Sequence, residues 1–287
     1  MKIIKFGGKS LSNGNGINAV ISIIENKITN KEKFAVVVSA RGNATDELEH
    51  ILELAKQGKD YKIQWHEFKE YQVLPAPSID FNKEFQLLEK IFEGVQLLEE
   101  VSLKVKDLVL AQGELLSAKM IANLINKKGI PSQSIDSREV LVTDEEFGNA
   151  HVFEKASQKK CQELFNSLEA NTIAIFTGYI AKNEQGSTTT LGRNGSNYSA
   201  ALFANFLNAE ELQNYTHVDG IYTANPDLVD DVKILEQISF QEANELASFG
   251  ASILHAKTIV PLIEKNIALR ILNTFNIKSK GTLICKN

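Results

Sequence analysis

The sequence is poor in cysteine and carries no excess of positive charge. Cys161 and Cys285 are the only cysteines among 287 residues, which is too few for a disulfide framework or a thiolate metal site. The formal net charge is −5, whereas proteins that bind nucleic acid usually present clustered basic surface to the phosphate backbone. The composition therefore argues against nucleic acid as the main partner and favours a small-molecule substrate.

No apolar run in the sequence suggests a membrane-spanning helix, and the chain starts directly in a predicted strand without a signal-like segment. We therefore expect no membrane partner and a cytoplasmic location. The apolar fraction of 43% and the charged fraction of 23% are ordinary for a soluble globular protein. A chain of this length can bury a large core, either as one α/β domain or as two lobes.

The N-terminal segment lacks both the P-loop pattern and the dinucleotide pattern Gly-x-Gly-x-x-Gly. Instead, the predicted strand Lys2–Phe6 ends at Gly7 and Gly8, ahead of a predicted helix over residues 17–28. A double glycine lets the backbone approach a ligand closely, and Lys5 places an ammonium beside it, so the segment indicates a phosphate site. The alternative is a tight turn with a lysine that reaches into solvent.

Residues 188–201 combine a short β-branched run, a glycine turn and an apolar-periodic helix. Arg193 and Asn194 lie at the tip of the turn, and Ser196 is predicted to cap the helix. Backbone N–H groups at a helix N-terminus and the planar fork of Arg193 suit a carboxylate or phosphate. The pattern therefore indicates an anion site, and the alternative is a turn that only closes the chain, with a solvated arginine.

A second buried strand is predicted over residues 34–39, followed by a loop with hydroxyl side chains at both ends. Ser39 ends the strand, and Thr45 is predicted to open the next helix. Because ligands of open α/β sheets bind at the carboxyl ends of strands, both hydroxyls are candidate substrate contacts. Thr45 could equally be only a helix N-cap.

Glu114 follows a short apolar segment, residues 108–111, and is predicted to lie in the first turn of a helix that Gly129 ends. A carboxylate in a first turn is favoured by the helix dipole alone. It could also receive the ammonium group of a substrate.

The region of about residues 60–107 is predicted to be an inserted helical hairpin, interrupted at Pro75 and Pro77. Its aromatic side chains are expected to pack as a satellite core rather than to stack on bases. They are Trp65, Phe68, Tyr71, Phe81, Phe85 and Phe92.

The rest of the chain alternates between strand and helix patterns, with glycine turns at strand ends. Further strands are predicted at residues 132–135, 140–142, 172–176, 211–218, 268–272 and 282–284, and helices at 240–247 and 257–265. His151 is expected to be a surface residue rather than a catalytic one. This alternation predicts an α/β fold, a three-layer αβα sandwich around a largely parallel sheet.

Short motifs occur here in the order in which aspartate kinases carry them. They are Lys5-Phe-Gly-Gly8, Val38-Ser-Ala40, Gly113-Glu114, Leu191-Gly-Arg-Asn-Gly-Ser196 with Tyr198-Ser-Ala200, Val218-Asp-Gly-Ile-Tyr222, and Phe249-Gly-Ala251 with Leu254-His255. The ordered set covers nearly the whole chain, which makes it far more specific than a single motif. The sequence thus resembles the aspartate kinases of the amino acid kinase superfamily, and is most similar to the kinase module of bifunctional aspartokinase/homoserine dehydrogenases.

The resemblance implies an enzyme that uses ATP and Mg²⁺ to phosphorylate the β-carboxylate of L-aspartate, the first step towards lysine, threonine and methionine. It also implies an N-terminal amino-acid-binding lobe over residues 1–205 and a C-terminal nucleotide-binding lobe over residues 206–287. A homodimer is a further expectation. The last residues, 281–287, leave no chain for a regulatory domain, so lysine and threonine are expected not to affect the rate.

The resemblance also implies a role for individual residues, with no protein ligand for the metal. The expected catalytic residues are Lys5, Gly8, Arg193 and Asn197. The expected aspartate contacts are Ser39, Thr45, Glu114, Arg193, Asn194, Gly195 and Ser196. The expected nucleotide contacts are Lys5, Gly7, Gly8, Lys9, Thr216, His217, Asp219, Tyr222, Asp227 and Ser252.

Five positions depart from the pattern of the family. Lys9 stands where threonine is usual, Asn197 where aspartate is frequent, and His217 in place of aspartate. Asp227 and Ser252 stand where many members have arginine and lysine, so two cations are missing from the nucleotide side. We expect Lys9 and Lys257 to compensate.

Two other functions stay open from the sequence. One is a different amino acid kinase, acting on glutamate, acetylglutamate or carbamate. The other is a regulatory module without catalysis, which the departures favour and which Lys5, Gly7, Gly8 and Arg193 oppose.

Overall fold

The computed structural model describes residues 1–224, 228–248 and 256–286. Its strands, numbered along the chain, are β1 Lys2–Phe6, β2 Phe34–Val38, β3 Ser132–Ile135, β4 Val142–Thr143, β5 Ile173–Thr177, β6 Ile180–Asn183, β7 Thr188–Thr190, β8 Glu211–Thr216, β9 Gln237–Ser239, β10 Ala268–Asn273 and β11 Thr282–Cys285.

The α-helices are α1 Gly14–Thr29, α2 Ala44–Lys56, α3 Lys62–Val73, α4 Asn82–Leu98, α5 Leu103–Asn126, α6 Glu154–Ser167, α7 Gly195–Phe206, α8 Phe240–Ser248 and α9 Ala256–Glu264. Short 3-10 helices occupy Gly8–Leu11 and Ser137–Glu139.

The central sheet has eight strands in the order β3-β5-β2-β1-β8-β10-β11-β9. Every pairing is parallel except that of β10 with β11. All residues of β2 and β5 are buried, because helices cover both faces of the sheet. Ile4 and Val36 face one hydrophobic core, whereas Ile3 and Val37 face the other. The predicted three-layer α/β fold is confirmed.

A second, three-stranded sheet in the order β4-β6-β7 was not predicted. It includes the β-branched strand before the glycine turn, which the sequence analysis left without a partner. β6 and β7 pair as an antiparallel hairpin. Strand propensity could identify β7, but it could not reveal which strands lie beside it.

The position of Glu114 differs from the sequence prediction. α5 is one continuous helix of 24 residues, so residues 108–111 are helical and Glu114 lies in its middle rather than in a first turn. The helix is long and apolar enough to pass a length and composition test for a membrane span, contrary to the sequence analysis. Of its most apolar window, 78% is buried inside the protein, as in a core helix.

The predicted helical insertion is present as α3 and α4, but its aromatic residues do not form a separate core. Trp65 and Phe92 belong to the same hydrophobic cluster as Ile4 and Val36 of the central sheet. The Trp65 ring stacks on Phe68 and meets Phe92 edge-on. Its indole N–H donates to Glu89 Oε1 at 2.9 Å. The insertion is therefore fastened to the main core.

We predict that Phe92→Ala lowers the free energy of unfolding by about 3–5 kcal/mol, since Phe92 is fully buried and its removal leaves a cavity. Leu97→Ala on the same helix is the control, because Leu97 is 84% exposed and should change stability by less than about 0.5 kcal/mol. Urea unfolding measures both. Equal effects would mean that the insertion is not part of the main core.

Candidate functional site

A cavity of about 310 Å³ lies where β1 and β2 end and where α2 and α7 begin, with the middle of α5 behind it. Its walls include many of the predicted site residues, which are Lys5, Gly8, Ser39, Thr45, Glu114, Asn194, Gly195, Ser196 and Asn197. Gly42, Asn43, Asp46 and Tyr179 complete the lining together with Ala40 and Gly192. The fold thus brings together residues that lie up to 192 positions apart in the sequence, from Lys5 to Asn197.

Lys5 supplies a buried cation to this cavity. It is the fourth residue of β1, and only 8% of it is exposed. Burial lowers the pKa of its ammonium to about 8, because the charged form loses solvation. Within residues 1–224, 228–248 and 256–286, no acceptor lies within hydrogen-bond distance of Nζ. An anion bound here would raise this pKa back towards its ordinary value and gain a strong interaction.

The glycine turn after β1 is needed for close packing of two loops as well as for the predicted phosphate site. A Cβ on Gly8 would lie 2.7 Å from the Gly42 carbonyl oxygen, so only glycine allows the two loops to meet. The Gly7 N–H was expected to face a ligand. It donates instead to the Tyr215 carbonyl at 3.3 Å. The N–H groups of Gly8 and Lys9, the first residues of the 3-10 helix, have no intrahelical acceptor.

Glu114 supplies a buried carboxyl group to the same cavity. Gly113 lets α5 approach β2, since a Cβ there would lie 2.8 Å from Ala40 Cβ. The Ala40 N–H donates to Glu114 Oε1 at 3.1 Å, while the buried Oε2 has no partner in the described structure. Burial raises the pKa of the carboxyl group to about 8. The helix dipole of a first turn therefore does not explain this residue, and Oε2 is available to a cationic group.

The N-termini of α2 and α7 reach the cavity, but the predicted caps are wrong. Asn43 and Asn194 occupy the two N-cap positions, and neither accepts a side-chain capping bond. Asn194 has φ 58°, which turns the chain sharply into α7. Thr45 and Ser196 each lie one residue inside their helix and line the cavity. Their hydroxyls are thus not used as caps, and two helix N-termini favour negative charge there.

Arg193 lies beside this cavity rather than in it. Its exposed side chain lines an adjoining cavity of about 320 Å³ that shares Thr45, Tyr179 and Gly192 with the first. Asp107 is also part of this second wall.

Of the predicted nucleotide contacts, Thr216 is the last residue of β8 and His217 follows it, and β8 pairs with β1. Lys9 Nζ lies 3.4 Å from His217 Nε2, so two of the departures from the family pattern contact each other. Burial and the positive charge of Lys9 lower the pKa of His217. Thr216 Oγ1 accepts the Val218 N–H at 3.1 Å, which fixes the start of the loop.

Two further predicted nucleotide contacts have structural partners. The Asp219 carboxylate accepts hydrogen bonds from the amides of Asn273 and Asn276 at 2.7 and 3.1 Å. Tyr222 forms an isolated β-bridge with Ile234. The expectations for Asp227 and Ser252 lie outside the described residues, as do the motif residues 249–251 and 254–255.

Lys257 does not line the cavity of Lys5, and its compensating role stays a prediction. Its Nζ donates to Asn149 Oδ1 at 2.6 Å, and the residue lines a third cavity of about 220 Å³ with His151 and Tyr198. His151 is exposed, as expected, and with Asp144 and Glu146 it forms a small exposed cluster of potential ligand atoms.

Asp107 was not among the predicted site residues, although it binds the strand residue that precedes the glycine turn. Its Oδ2 accepts the N–H groups of Gly148 and Thr190, each at 2.9 Å. Its Oδ1 accepts the Thr190 hydroxyl at 2.9 Å. Burial raises the pKa of this carboxyl group, and the three donors oppose that shift. An acidic residue inside an apolar helix was the available signal.

Tyr179 was also missed, although it lines both cavities. It follows β5 with φ 66°, an uncommon backbone conformation for a residue other than glycine. Its carbonyl accepts the Leu191 N–H at 2.9 Å, which joins this turn to the end of β7. The sequence Thr177-Gly178-Tyr179 after a predicted strand was the available signal.

Comparison with known proteins gives the family. Residues 1–273 match the amino acid kinase family. The chain belongs to that family. Among solved structures, aspartokinase III of Escherichia coli in complex with aspartate and ADP (R-state) has a TM-score of 0.90 and 29% identity, covering 100% of this chain and 65% of that one. The UMP kinase of Bacillus anthracis has a TM-score of 0.57 and 13% identity, covering 100% of this chain and 96% of that one. It shares the fold alone.

Relatives of this amino acid kinase chain include longer proteins. A bifunctional aspartokinase/homoserine dehydrogenase of Buchnera aphidicola is 34% identical over 100% of this chain and 36% of its own length. The chloroplastic bifunctional aspartokinase/homoserine dehydrogenase 2 of Arabidopsis thaliana is 32% identical over 98% of this chain and 32% of its own length. The aspartokinase of Chlamydia trachomatis is 32% identical over 99% of this chain and 64% of its own length. The chain thus spans about a third of the bifunctional relatives and just under two thirds of the aspartokinase.

The raised pKa of Glu114 predicts a pH dependence of stability. Its folded pKa of about 8 exceeds the ordinary value of 4.5, so between these values the folded protein binds more protons than the unfolded chain. Wild-type stability should therefore fall relative to Glu114→Gln as pH rises through this window, by up to about 1.4 kcal/mol per pH unit. Urea unfolding of the ligand-free protein from pH 5 to 8 measures the difference.

The matched control is Glu163→Gln, since Glu163 is an exposed glutamate on α6. Its stability curve should run parallel to that of the wild type. Parallel curves for Glu114→Gln as well would mean that Glu114 is ionised in the folded protein at neutral pH.

Proposed function

We propose that this chain transfers the γ-phosphoryl group of ATP to the β-carboxylate of L-aspartate, giving 4-phospho-L-aspartate and ADP. The observation that carries the proposal is the pair of buried, opposite groups in one cavity. In the described part of the chain, Lys5 is a desolvated cation without an acceptor, and Glu114 Oε2 is a buried oxygen without a donor. A substrate with an ammonium and carboxylates satisfies both. The similarity to aspartokinase III in complex with aspartate and ADP supports the same substrates.

On the amino-acid side, Glu114 Oε2 accepts the substrate ammonium, and this contact returns the Glu114 pKa towards its ordinary value. The N-termini of α2 and α7, with the hydroxyls of Ser39, Thr45 and Ser196, receive carboxylate oxygens. Arg193 closes from the adjoining cavity as a bidentate clamp on a carboxylate. Asn194 and Gly195 contribute the backbone of the turn.

In the transfer step, an oxygen of the β-carboxylate forms a bond to the γ-phosphorus, and the bond from that phosphorus to the β,γ-bridging oxygen breaks. ADP leaves with the electron pair of that bond. The carboxylate nucleophile is already ionised, so no general base is needed. Catalysis then rests on positioning and on charge neutralisation by Lys5 and the N–H groups of Gly8 and Lys9.

The nucleotide requires Mg²⁺, which neutralises phosphate charge when bound and keeps several water ligands. Asn197 Oδ1 is a buried oxygen acceptor without a partner in the described structure, and it lines the cavity with Lys5. A neutral oxygen at this place would suit a hard cation such as Mg²⁺. Asn197 is therefore proposed to face the metal side of the phosphates.

The rest of the nucleotide is proposed to bind along β8 and the loop after it, in a C-terminal lobe of residues 206–287. Lys9 stands close to His217 at the start of this region and supplies one positive charge. Asp219 and Thr216 hold the loop through their contacts to Asn273 and Val218. Tyr222, Asp227 and Ser252 remain proposed contacts.

An ADP-release assay tests the function. With ATP and Mg²⁺, release should require aspartate and should be absent with glutamate or without an amino acid. Lys5→Ala should lower turnover by about 10²–10³-fold, which is the scale for losing one preorganised electrostatic group. Release that depends on glutamate would indicate another amino acid kinase, and release by Lys5→Ala at the wild-type rate would remove Lys5 from the mechanism.

Arg193→Lys keeps the charge but loses the bidentate fork, so we predict a KM for aspartate raised about tenfold or more. The KM for ATP should stay within about twofold of the wild type. Steady-state kinetics with each substrate varied in turn gives both constants. If the two rise together, Arg193 acts on the phosphates instead.

A further inference from the structure

Arg41 is a buried cation that the proposed chemistry does not use. It lies in the loop between β2 and α2, and only 1% of it is exposed. No carboxylate is within ion-pair distance of it in the described parts of the chain. Its guanidinium is instead 3.7 Å from the ring centre of Tyr71. Burying a charge without a counter-ion costs free energy, so the hydrogen bonds of the Arg41 guanidinium must offset the cost of its burial.

All of these hydrogen bonds go to backbone carbonyl oxygens. Arg41 Nε donates to Leu11 at 3.1 Å, and Nη2 donates to Ser12 at 3.2 Å. Nη1 donates to the Tyr71 carbonyl. Leu11 ends the 3-10 helix Gly8–Leu11, and Ser12 follows it. Arg41 therefore binds the carboxyl end of the helix whose first residue, Gly8, lines the cavity.

The neighbours of Arg41 in sequence bind the other parts of the site. The Gly42 N–H donates to the Gly8 carbonyl at 3.0 Å. The Ala40 N–H donates to Glu114 Oε1. Three consecutive residues thus hold the start of the segment 8–12, its end, and the carboxyl group proposed to bind the substrate ammonium.

Tyr71 connects the helical insertion to the same segment. Its hydroxyl donates to the Ser12 carbonyl at 2.5 Å, and its ring lies against the Arg41 guanidinium. Tyr71 belongs to α3, which lies outside the central sheet. A second anchor of the segment is the 2.7 Å contact between Ser10 Oγ and Thr274 Oγ1.

We propose that Arg41 is a positioning residue: with Tyr71, it fixes segment 8–12 against residues 40–42, so that the N–H groups of Gly8 and Lys9 keep a fixed distance from the amino-acid side of the cavity. The inference rests on the proposed function. It gives the helical insertion a part in phosphate binding, because α3 contributes the ring and hydroxyl that hold Arg41 and Ser12 in place. Small displacements of such a segment have large effects on phosphoryl transfer.

The test uses Arg41→Lys, which keeps the charge but cannot make three directed bonds, and Tyr71→Phe, which keeps the ring but loses the bond to Ser12. The control is Arg138→Lys, because Arg138 is a partly buried arginine whose contacts are Asp136 and Thr188. We expect the KM for ATP to rise about tenfold in Arg41→Lys and about threefold in Tyr71→Phe. The KM for aspartate should change less than twofold in both, and the control should match the wild type.

This pattern separates positioning from a loss of folded protein. A purely structural role would reduce the active fraction, so kcat would fall while both KM values stayed constant. That result, or a wild-type KM for ATP in both variants, would overturn the inference. If Arg41→Lys does not fold, Tyr71→Phe alone tests the inference, because it removes only one hydroxyl group.

A failure of the proposed function gives a different result, since wild-type protein would then release no ADP with aspartate. Titration calorimetry with ATP and Mg²⁺ would still test the positioning role. The variants should bind the nucleotide more weakly than the wild type and the control by the same factors. Equal affinities would overturn the inference independently of turnover.

Discussion

The hydrogen bond from the Ala40 N–H to Glu114 Oε1 sets the geometry on which the rest of the site depends. It joins the end of β2 to the middle of α5, and it forms only because Gly113 allows the helix to touch Ala40. Most of α5 must be buried to reach this place, which explains its apolar composition. This close contact thereby buries the side chain of Glu114 where the parallel strands of the sheet end.

Burial of that carboxyl group has a cost that a substrate can remove. Lys5 and Glu114 both have pKa values moved to about 8, one down and one up, and in each case desolvation is the main cause. Without a ligand, each charged form is disfavoured. In the proposed reaction, the ammonium of the amino acid at Glu114 and the phosphate charge at Lys5 would stabilise both charged forms at once.

Local patterns in the sequence predicted the sheet, the insertion, Lys5 and the glycine turn, because each depends on residues close together in the chain. The position of Glu114 was wrong because an apolar helix resembles a buried strand over four residues, here 108–111. Arg41 and Asp107 were not predicted as structural residues, because their acceptors and donors come from distant segments such as Leu11, Ser12, Gly148 and Thr190. Contacts between distant segments carry no local signal.

The topology of the sheet explains why Lys5 stands between two groups of residues. β1 pairs in parallel with β2 on one side and β8 on the other, and Lys5 lies opposite Val37 and Asn214. The loop after β2 leads to the proposed amino-acid contacts, while β8 ends at Thr216 and is followed by His217. A group transferred between the two sides must pass over the end of β1. In the proposed reaction, Lys5, the only lysine that lines this cavity among the described residues, would stand at that crossing, where charge builds up on the transferred phosphoryl group.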